Sequence, residues 1–559
     1  MNHSYKHWED ILQFTAVLWL LFLLNIWAGN VFWHLDLTEE KRYTISEASK
    51  QMLNQLSEEV FVEVFLEGEL NAEFKRLQKS IRETLELFRL QSNGKVSYKF
   101  TDPNEASSPA ARNRFYQQLT AKGLPYTTLY EMVDGEQKQK IIFPGAILSS
   151  KGKEIPVLLL KGNKASSPQE QLNQSIEGVE YEMASTIHKL TVQQKKRIAF
   201  LEGHEELTQR ELTDITLSLR EFYEVEFITL GNENLNRYDA VIVAQPKKPF
   251  SDLDKYDLDQ YVMQGGNALF LIDKVQMNLD SIPLGGAYAI GYELNIEDLL
   301  FRYGARLNLE LIQDQQAGLI EVYVGNLGNQ PNIKRLPWMY HIYLNTYNQH
   351  PIVRNLDAIY GKFIGTIDTV KAVGIRKTPL VFTSKYSKTK GVPSMISLDE
   401  IKEVKQTPAF NKPHLPVAYL LEGKFTSLFA NRFAPKGANQ ANMIRKGKPA
   451  KVFVMSDGDI IRNEFNKKSG NPEPIDYDKY RQQTLSNKDF FLNVLSYMTD
   501  ENGLISSRKK EILMRPLDNL RLKNEKFYWQ FINVSIPILF VIFFGIGRYY
   551  WRRKRFSKK

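Results

Sequence analysis

His204 stands among carboxylates, in Leu201-Glu202-Gly203-His204-Glu205-Glu206, directly behind the apolar run Ile198-Ala199-Phe200. A histidine beside acids at the end of a buried strand has the makings of a metal or acid–base site, and open α/β sheets place ligands at that end. Asp273 closes Ala268-Leu269-Phe270-Leu271-Ile272, while Asp457 and Asp459 flank Gly458 behind Val452-Phe453-Val454-Met455. Carboxylates so placed can hold a cation. Polar residues capping a helix, or an Asp-Gly turn after a strand, account for the same residues more simply. Between Arg335 and Tyr347, the side chains Trp338, Tyr340, Tyr343 and Tyr347 offer faces of the kind that bind sugars or peptides; the alternative is a loop packed on the body. The candidate ligand-binding residues are thus Glu202, His204, Asp273, Trp338, Tyr340, Asp457 and Asp459, and none is assigned catalysis.

Absent chemistry narrows the field. The chain has no cysteine, which removes disulfides, thiol nucleophiles, cysteine zinc sites and iron–sulfur ligation. No Gly-Lys pair is followed by Ser or Thr, so there is no Walker-type phosphate cradle. A G-x-S-x-G elbow and an H-E-x-x-H helix are also missing. Nothing in the sequence calls for a cofactor or metal.

The elements that must position the candidates lie between two oily stretches. Residues 11–33 carry no formal charge and would form a helix of roughly 35 Å, enough to cross a bilayer. Residues 527–547 are a second uncharged stretch, flanked by Phe527, Tyr528 and Trp529 on entry and by Tyr549, Tyr550 and Trp551 on exit. Both are read as transmembrane helices. The net charge of +9 is concentrated at one end, since Arg548 to Lys559 holds Arg548, Arg552, Arg553, Lys554, Arg555, Lys558 and Lys559 without an acid. No nucleic-acid partner is implied. The tail and the N-terminal ten residues are expected in the cytoplasm, with the body outside it, although long domains translocate largely regardless of charge.

The body reads as α/β. Thr44 and Glu47 form a capping-box pattern for a helix over about 47–56. Val60–Leu66, a helix carrying Phe74, Leu77, Ile81, Leu85 and Phe88, and a strand through Val96, Tyr98 and Phe100 make a β-α-β opening, as in thioredoxin-like sheets. Hairpins are expected at Asp134-Gly135 and near Lys151-Gly152-Lys153, and a helix through Ile176 to Leu190 closes a domain over 34–192. From 193 to 504, strands alternate with helices, including one over about 208–221, as in a parallel Rossmann-like sheet with insertions. The topology of 277–450 is not assigned by pattern. Residues 505–526 are read as a stalk helix and 548–559 as a basic tail.

In order, Asp36 to Ser46, Phe200 to Glu205, His350-Pro351-Ile352 with Asn355-Leu356, Leu420 to Ser427, Ser456 to Asp459 and Asn487 to Asn493 resemble the gliding-motility-associated ABC-transporter auxiliary proteins, GldG. The resemblance spans nearly the whole chain, and it is carried by the order of the motifs rather than by any one of them. It implies an inner-membrane complex of gliding bacteria, in which partner chains supply the ATPase and a multi-span permease, with the soluble body in the periplasm against membrane lipid. It also implies a central unit related to class I glutamine amidotransferases, whose cysteine nucleophile this chain lacks. A non-catalytic subunit is the leading expectation. A solute-binding module and a cysteine-free periplasmic hydrolase using His204 and Asp457 are the rivals.

Overall fold

The computed structural model describes residues 12, 14–23, 44–105, 108–133, 136–161, 167–192, 194–231, 234–328, 330–405, 409–438, 440–500, 503–509 and 524–556. Residues up to 510 form one compact unit and residues from 511 a second.

Near the start, α1 (Phe14–Leu23) is a short apolar helix. Residues 1–10, and the rest of the 11–33 stretch apart from Leu12, lie outside the described residues. Helix α2 (Glu47–Asn54) begins where expected but is capped by Ser46, whose side chain accepts from the Ser49 amide. The extended backbone of Ser46 aims its hydroxyl at the first turn, so the cap falls two residues later than the Thr44 pattern suggests.

β1 (Val60–Val64), α3 (Ala72–Gln91) and β2 (Val96–Phe100) form the expected β-α-β opening, with the two strands parallel. The five apolar residues expected on the helix all face inward. After α4 (Pro109–Ala121), β3 (Thr127–Val133) and β4 (Glu136–Ile142) pair as a separate hairpin. Its turn, Asp134-Gly135, lies outside the described residues. β5 (Gly145–Ser150) and β6 (Lys153–Leu158) extend the first sheet, giving the order β2-β1-β5-β6. Helix α5 (Pro168–Thr191) follows, with half of its residues buried, including Ile176, Val179, Met183, Ile187 and Leu190.

The second sheet is built on β7 (Lys196–Leu201), β8 (Tyr223–Ile228), β9 (Ala240–Ala244) and β10 (Asn267–Leu271), interleaved with α6 (Thr213–Arg220) and α7 (Asp252–Met263). Neighbours run β8-β7-β9-β10 and then Lys446–Met455, all parallel. β9 and β10 are apolar along nearly their whole length, and β7 and Lys446–Met455 over their last four residues, because both faces are covered there. Alternation assigns the faces: Ile198, Phe200, Ile242 and Leu269 point to one core, and Ala199, Leu201, Val241 and Phe270 to the other. α6 and α9 (Asn487–Thr499) cover the first face through Ile215, Leu219, Phe490 and Val494. α7 and α8 (Glu297–Tyr303) cover the second through Tyr261, Val262, Leu299 and Tyr303.

Three departures from the sequence reading stand out. The sheet is mixed, because Pro416–Thr426, Ile375–Phe382 and Thr346–Tyr347 add antiparallel strands beyond Lys446–Met455. Helix α6 covers only the later part of 208–221, since Leu207 and the residues after it are held by the β9 end and by Thr208 turns. Arg335–Leu344 is no loop: it belongs to the strand Gln330–Leu344, paired with Ala317–Leu327 along a long hairpin.

The second unit, taken by itself, contains α10 (Lys526–Phe556), with Pro537 inside it. Among the described residues this is the one helix long and apolar enough to cross a membrane. Residues 510–523, most of the expected stalk, lie outside the described residues, and Leu504–Lys509 before them is a short 3-10 helix.

Candidate functional site

The strand ends of the second sheet form a row: Glu202 and His204 after β7, Gln245 after β9, Asp273 after β10, and Asp457 and Asp459 after Lys446–Met455. Five of the seven sequence candidates therefore share one edge of the sheet. Their contacts divide them into two groups.

His204 is a buried joint. Its Nδ1 lies 3.2 Å from Glu206 Oε1, its Nε2 lies 3.3 Å from Asp254 Oδ2, and its ring stacks on Phe250 at 3.8 Å. Its amide donates to Glu206 Oε2 at 2.7 Å, and its carbonyl accepts from the amides of Lys247 and Lys248. Asp254 belongs to the capping box of α7, so the histidine ties the β7 end to the start of that helix. Burial alone would lower its pKa, but hydrogen bonds and charge from Glu206 and Asp254 outweigh it and raise the value. A carboxylate on each ring nitrogen favours the imidazolium. Glu202 accepts from Gln209 Nε2 at 3.2 Å on the surface of the same loop.

The aspartates gather around Gly458. Asp273 Oδ1 accepts from the Gly458 amide at 2.8 Å, and its Oδ2 accepts from Gln245 Nε2. Asp457, fully buried, accepts from the amides of Asp459 at 2.8 Å and Lys362 at 3.1 Å. Gly361 passes so close to that carboxylate that a Cβ there would collide with it. Asp459 pairs with Arg462 at 3.3 Å, and Arg462 reaches Glu211 at 3.0 Å. Burial, then the charge of Asp459, raises Asp273 to about 7. Burial, then the charges of Asp273 and Asp459, holds Asp457 well above the ordinary carboxylate range. Both shifts favour a protonated carboxyl within the cluster. Its oxygens mostly bind the chain's own amides, as turn-forming aspartates do. Among the described residues, no group of three or more His, Asp or Glu side chains is placed to hold a metal ion.

Trp338 and Tyr340 lie elsewhere, in a separate core with Phe363. Trp338 is 4% exposed and Tyr340 not at all. The Tyr340 hydroxyl donates to Glu400 at 2.7 Å and accepts from Gln313. No face of either ring is open to a sugar or peptide, because strand pairing turns both rings inward. A cavity of about 670 Å³ opens at the opposite end of the second sheet, among Lys196, Asp239, Gly265, Asn267, Lys451 and Asp500.

Sequence reasoning missed Gln245, Asp254 and Arg462, which complete the row. Gln245 could have been found, as it directly ends the apolar Ala240–Ala244 run. It also missed Asp259 on α7, fully buried yet bound by Ser427 Oγ at 2.6 Å, Tyr303 Oη at 3.0 Å and the Leu428 amide at 3.0 Å.

Residues 195–494 match the family described as "ABC-type uncharacterized transport system", and residues 39–149 match a domain of unknown function, DUF7088. An uncharacterized protein of Borreliella burgdorferi is 22% identical over 557 residues, covering 98% of this chain and 99% of its own length. Among solved structures, the mmIFT52 N-terminal domain aligns over 54% of this chain and 97% of its own, at 13% identity and a TM-score of 0.32. The exo-beta-1,4-mannosidase Op5Man5 from Opitutaceae bacterium strain TAV5 aligns over 85% of this chain and 56% of its own, at 9% identity and a TM-score of 0.19.

Proposed function

Because the chain belongs to the ABC-type uncharacterized transport system family, we propose that it is a non-catalytic accessory subunit of an ABC transporter, anchored in the inner membrane with its body in the periplasm. The observation that carries this reading is the family match over 195–494, which takes in the whole of the second sheet. Membership implies association with transporter components, and the long apolar α10 points to membrane association. The ATPase and a multi-span permease are the partners that would supply what this chain's sequence lacks, a nucleotide cradle and a pathway. The 11–33 stretch is the second anchor in this reading. A role in gliding or surface export rests on the resemblance in sequence motifs alone.

Helix α5 supports a coupling role. Where the chain enters the body, the Ser46 amide donates to Glu180 Oε1 at 2.7 Å, and where it leaves, Arg508 Nη2 lies 2.9 Å from Glu182 Oε1. The same helix holds the second sheet's periphery through Glu177 and Arg354 at 3.2 Å and through Gln174 O and Asn355 Nδ2 at 3.0 Å. Entry, exit and both sheets thus meet on one rigid element, and tethering raises the effective concentration of the body near a partner span. We read the parallel part of the second sheet as Rossmann-like, with its strand-end row used for structure.

Amine-reactive cross-linking in intact membranes, followed by identification of the joined peptides, tests the proposal. Lysines within 195–494 should join to loops of a multi-span chain. Links confined to this chain would contradict it.

A further inference from the structure

The last turns of α10 carry a charge pattern that an apolar anchor alone does not require. The uncharged stretch 527–547 gives way at once to Arg548, followed by Arg552, Arg553 and Lys554 within the same helix. Arg555, Lys558 and Lys559 follow in sequence, and no acid occurs between 548 and 559. At the helix's other end the charges are mixed: Glu525 precedes Lys526 and accepts from Trp529 Nε1 at 2.9 Å. Within the body, lysines and arginines repeatedly stand beside carboxylates, as in Arg197–Glu224 and Lys488–Asp214. The basic end of α10 has no such carboxylate near it in sequence.

Helical spacing arranges these charges. Arg548 and Arg552 share one face, at i and i+4, while Arg553 and Lys554 lie round the helix from it, so the four encircle its end along roughly 9 Å of axis. Tyr549, Tyr550 and Trp551, each about 60% exposed, ring the helix at the same level. Amphipathic aromatics settle at the headgroup layer, so they fix the depth of the neighbouring guanidiniums at the lipid phosphates. A guanidinium binds a phosphate oxygen pair with two parallel hydrogen bonds, and a basic side chain at an anionic surface gains about 1 kcal/mol, roughly a fivefold enrichment.

We propose that Arg548, Arg552, Arg553 and Lys554 form a binding surface for the headgroups of anionic glycerophospholipids. This rests on α10 being embedded in the bilayer, as the proposed function has it. The surface gives the anchor a lipid preference as well as a hydrophobic hold, so the membrane's anionic lipid content sets how firmly the helix end stays at one depth.

The absence of cysteine makes the test clean. Tyr550→Cys, which leaves all four basic residues in place, takes a single fluorescent donor on the full-length chain, reconstituted in phosphatidylcholine vesicles. Energy transfer is then compared between acyl-labelled phosphatidylglycerol and acyl-labelled phosphatidylcholine present in equal small amounts. The expected result is severalfold greater transfer to phosphatidylglycerol, unchanged by millimolar inorganic phosphate. Transfer falls to the phosphatidylcholine level when Arg548, Arg552, Arg553 and Lys554 are all replaced by Gln. Equal transfer to the two lipids in the parent chain overturns the proposal, and a preference that survives the fourfold replacement overturns its assignment to these residues. Competition by free phosphate would mark a soluble anion site instead. A chain that is not embedded shows transfer to neither lipid, which distinguishes failure of the anchor from failure of the lipid preference.

Discussion

Arg508 and Glu182 form a buried ion pair, 2.9 Å from Nη2 to Oε1, that fastens the end of the body to the middle of α5. The guanidinium also lies 4.2 Å above the Tyr181 ring, and Lys161 takes the other carboxylate oxygen at 3.0 Å. Two residues earlier on the same helix, Glu180 receives the Ser46 amide and the Ser49 hydroxyl. The two points where the chain enters and leaves the body are therefore held by carboxylates two residues apart on one helix.

Breaking this clamp should be costly. Arg508 is 8% exposed and the Glu182 side chain 14%, so Arg508→Ala leaves a largely buried carboxylate with one cation fewer. Removing one partner of a buried pair costs about 3–5 kcal/mol. The exposed pair Arg82–Glu67 is the control, and Arg82→Ala should cost less than about 1 kcal/mol. Thermal unfolding of the detergent-solubilised chain separates the two, and a similar shift for both would refute the clamp.

Acid and near-neutral pH should act on this fold in opposite ways. Burial would raise Glu182, but Lys161 and Arg508 outweigh it and bring its pKa down to about 2. Its folded value lies below the unfolded one, so its contribution is present above about pH 4.5 and is lost as pH falls towards 2. Asp273 is raised to about 7, so its folded form holds the proton more tightly than the unfolded one, and stability falls as pH rises from about 4 to 7. Asp273→Asn should flatten the upper slope and leave the acid limb unchanged. A denaturation series from pH 3 to 8 on both chains reads this directly, and an unaltered upper slope would contradict it.

His204 should matter for stability and not for chemistry. Its raised pKa makes its contribution full below the ordinary histidine range and lost as pH rises through the folded value. His204→Ala leaves Glu206 and Asp254 without their shared cation and should lower the melting temperature by several degrees, most at mildly acid pH. Recovery of partner chains should not change. A variant that melts normally but loses function would return the residue to catalysis.

Regular patterns were legible in the sequence, and contacts between distant segments were not. The five apolar positions of α3 and the doubly buried β7, β9 and β10 follow from periodicity, because each strand's two faces meet separate cores. The antiparallel addition was hidden because Pro416–Thr426 joins Lys446–Met455 across a long insertion, and no local signal marks that pairing. Trp338 and Tyr340 looked like a platform for want of any sign of Phe363, Gln313 and Glu400, which close over them from elsewhere in the chain. The strand-end acids were visible, whereas the amides of Gly458 and Lys362 that occupy them depend on tertiary structure.

The apolar helix α10 should behave as an integral anchor. Alkaline carbonate should leave the full-length chain in the membrane pellet, and replacing Phe540 and Phe543 in the middle of the helix by Lys should release a fraction of it once residues 1–33 are also removed. A charged residue at the centre of a helix costs about 2.5–3.5 kcal/mol on insertion. Full release of the unaltered chain by carbonate would show that α10 is not embedded.

The most direct test of the account is size-exclusion chromatography of the tagged chain, affinity-purified from detergent-solubilised native membranes, with every co-eluting polypeptide identified. An accessory transporter subunit predicts one peak that contains a nucleotide-binding ATPase and a multi-span permease in fixed ratio to this chain. Elution of the chain alone, under conditions where its unfolding transition stays intact, would contradict it.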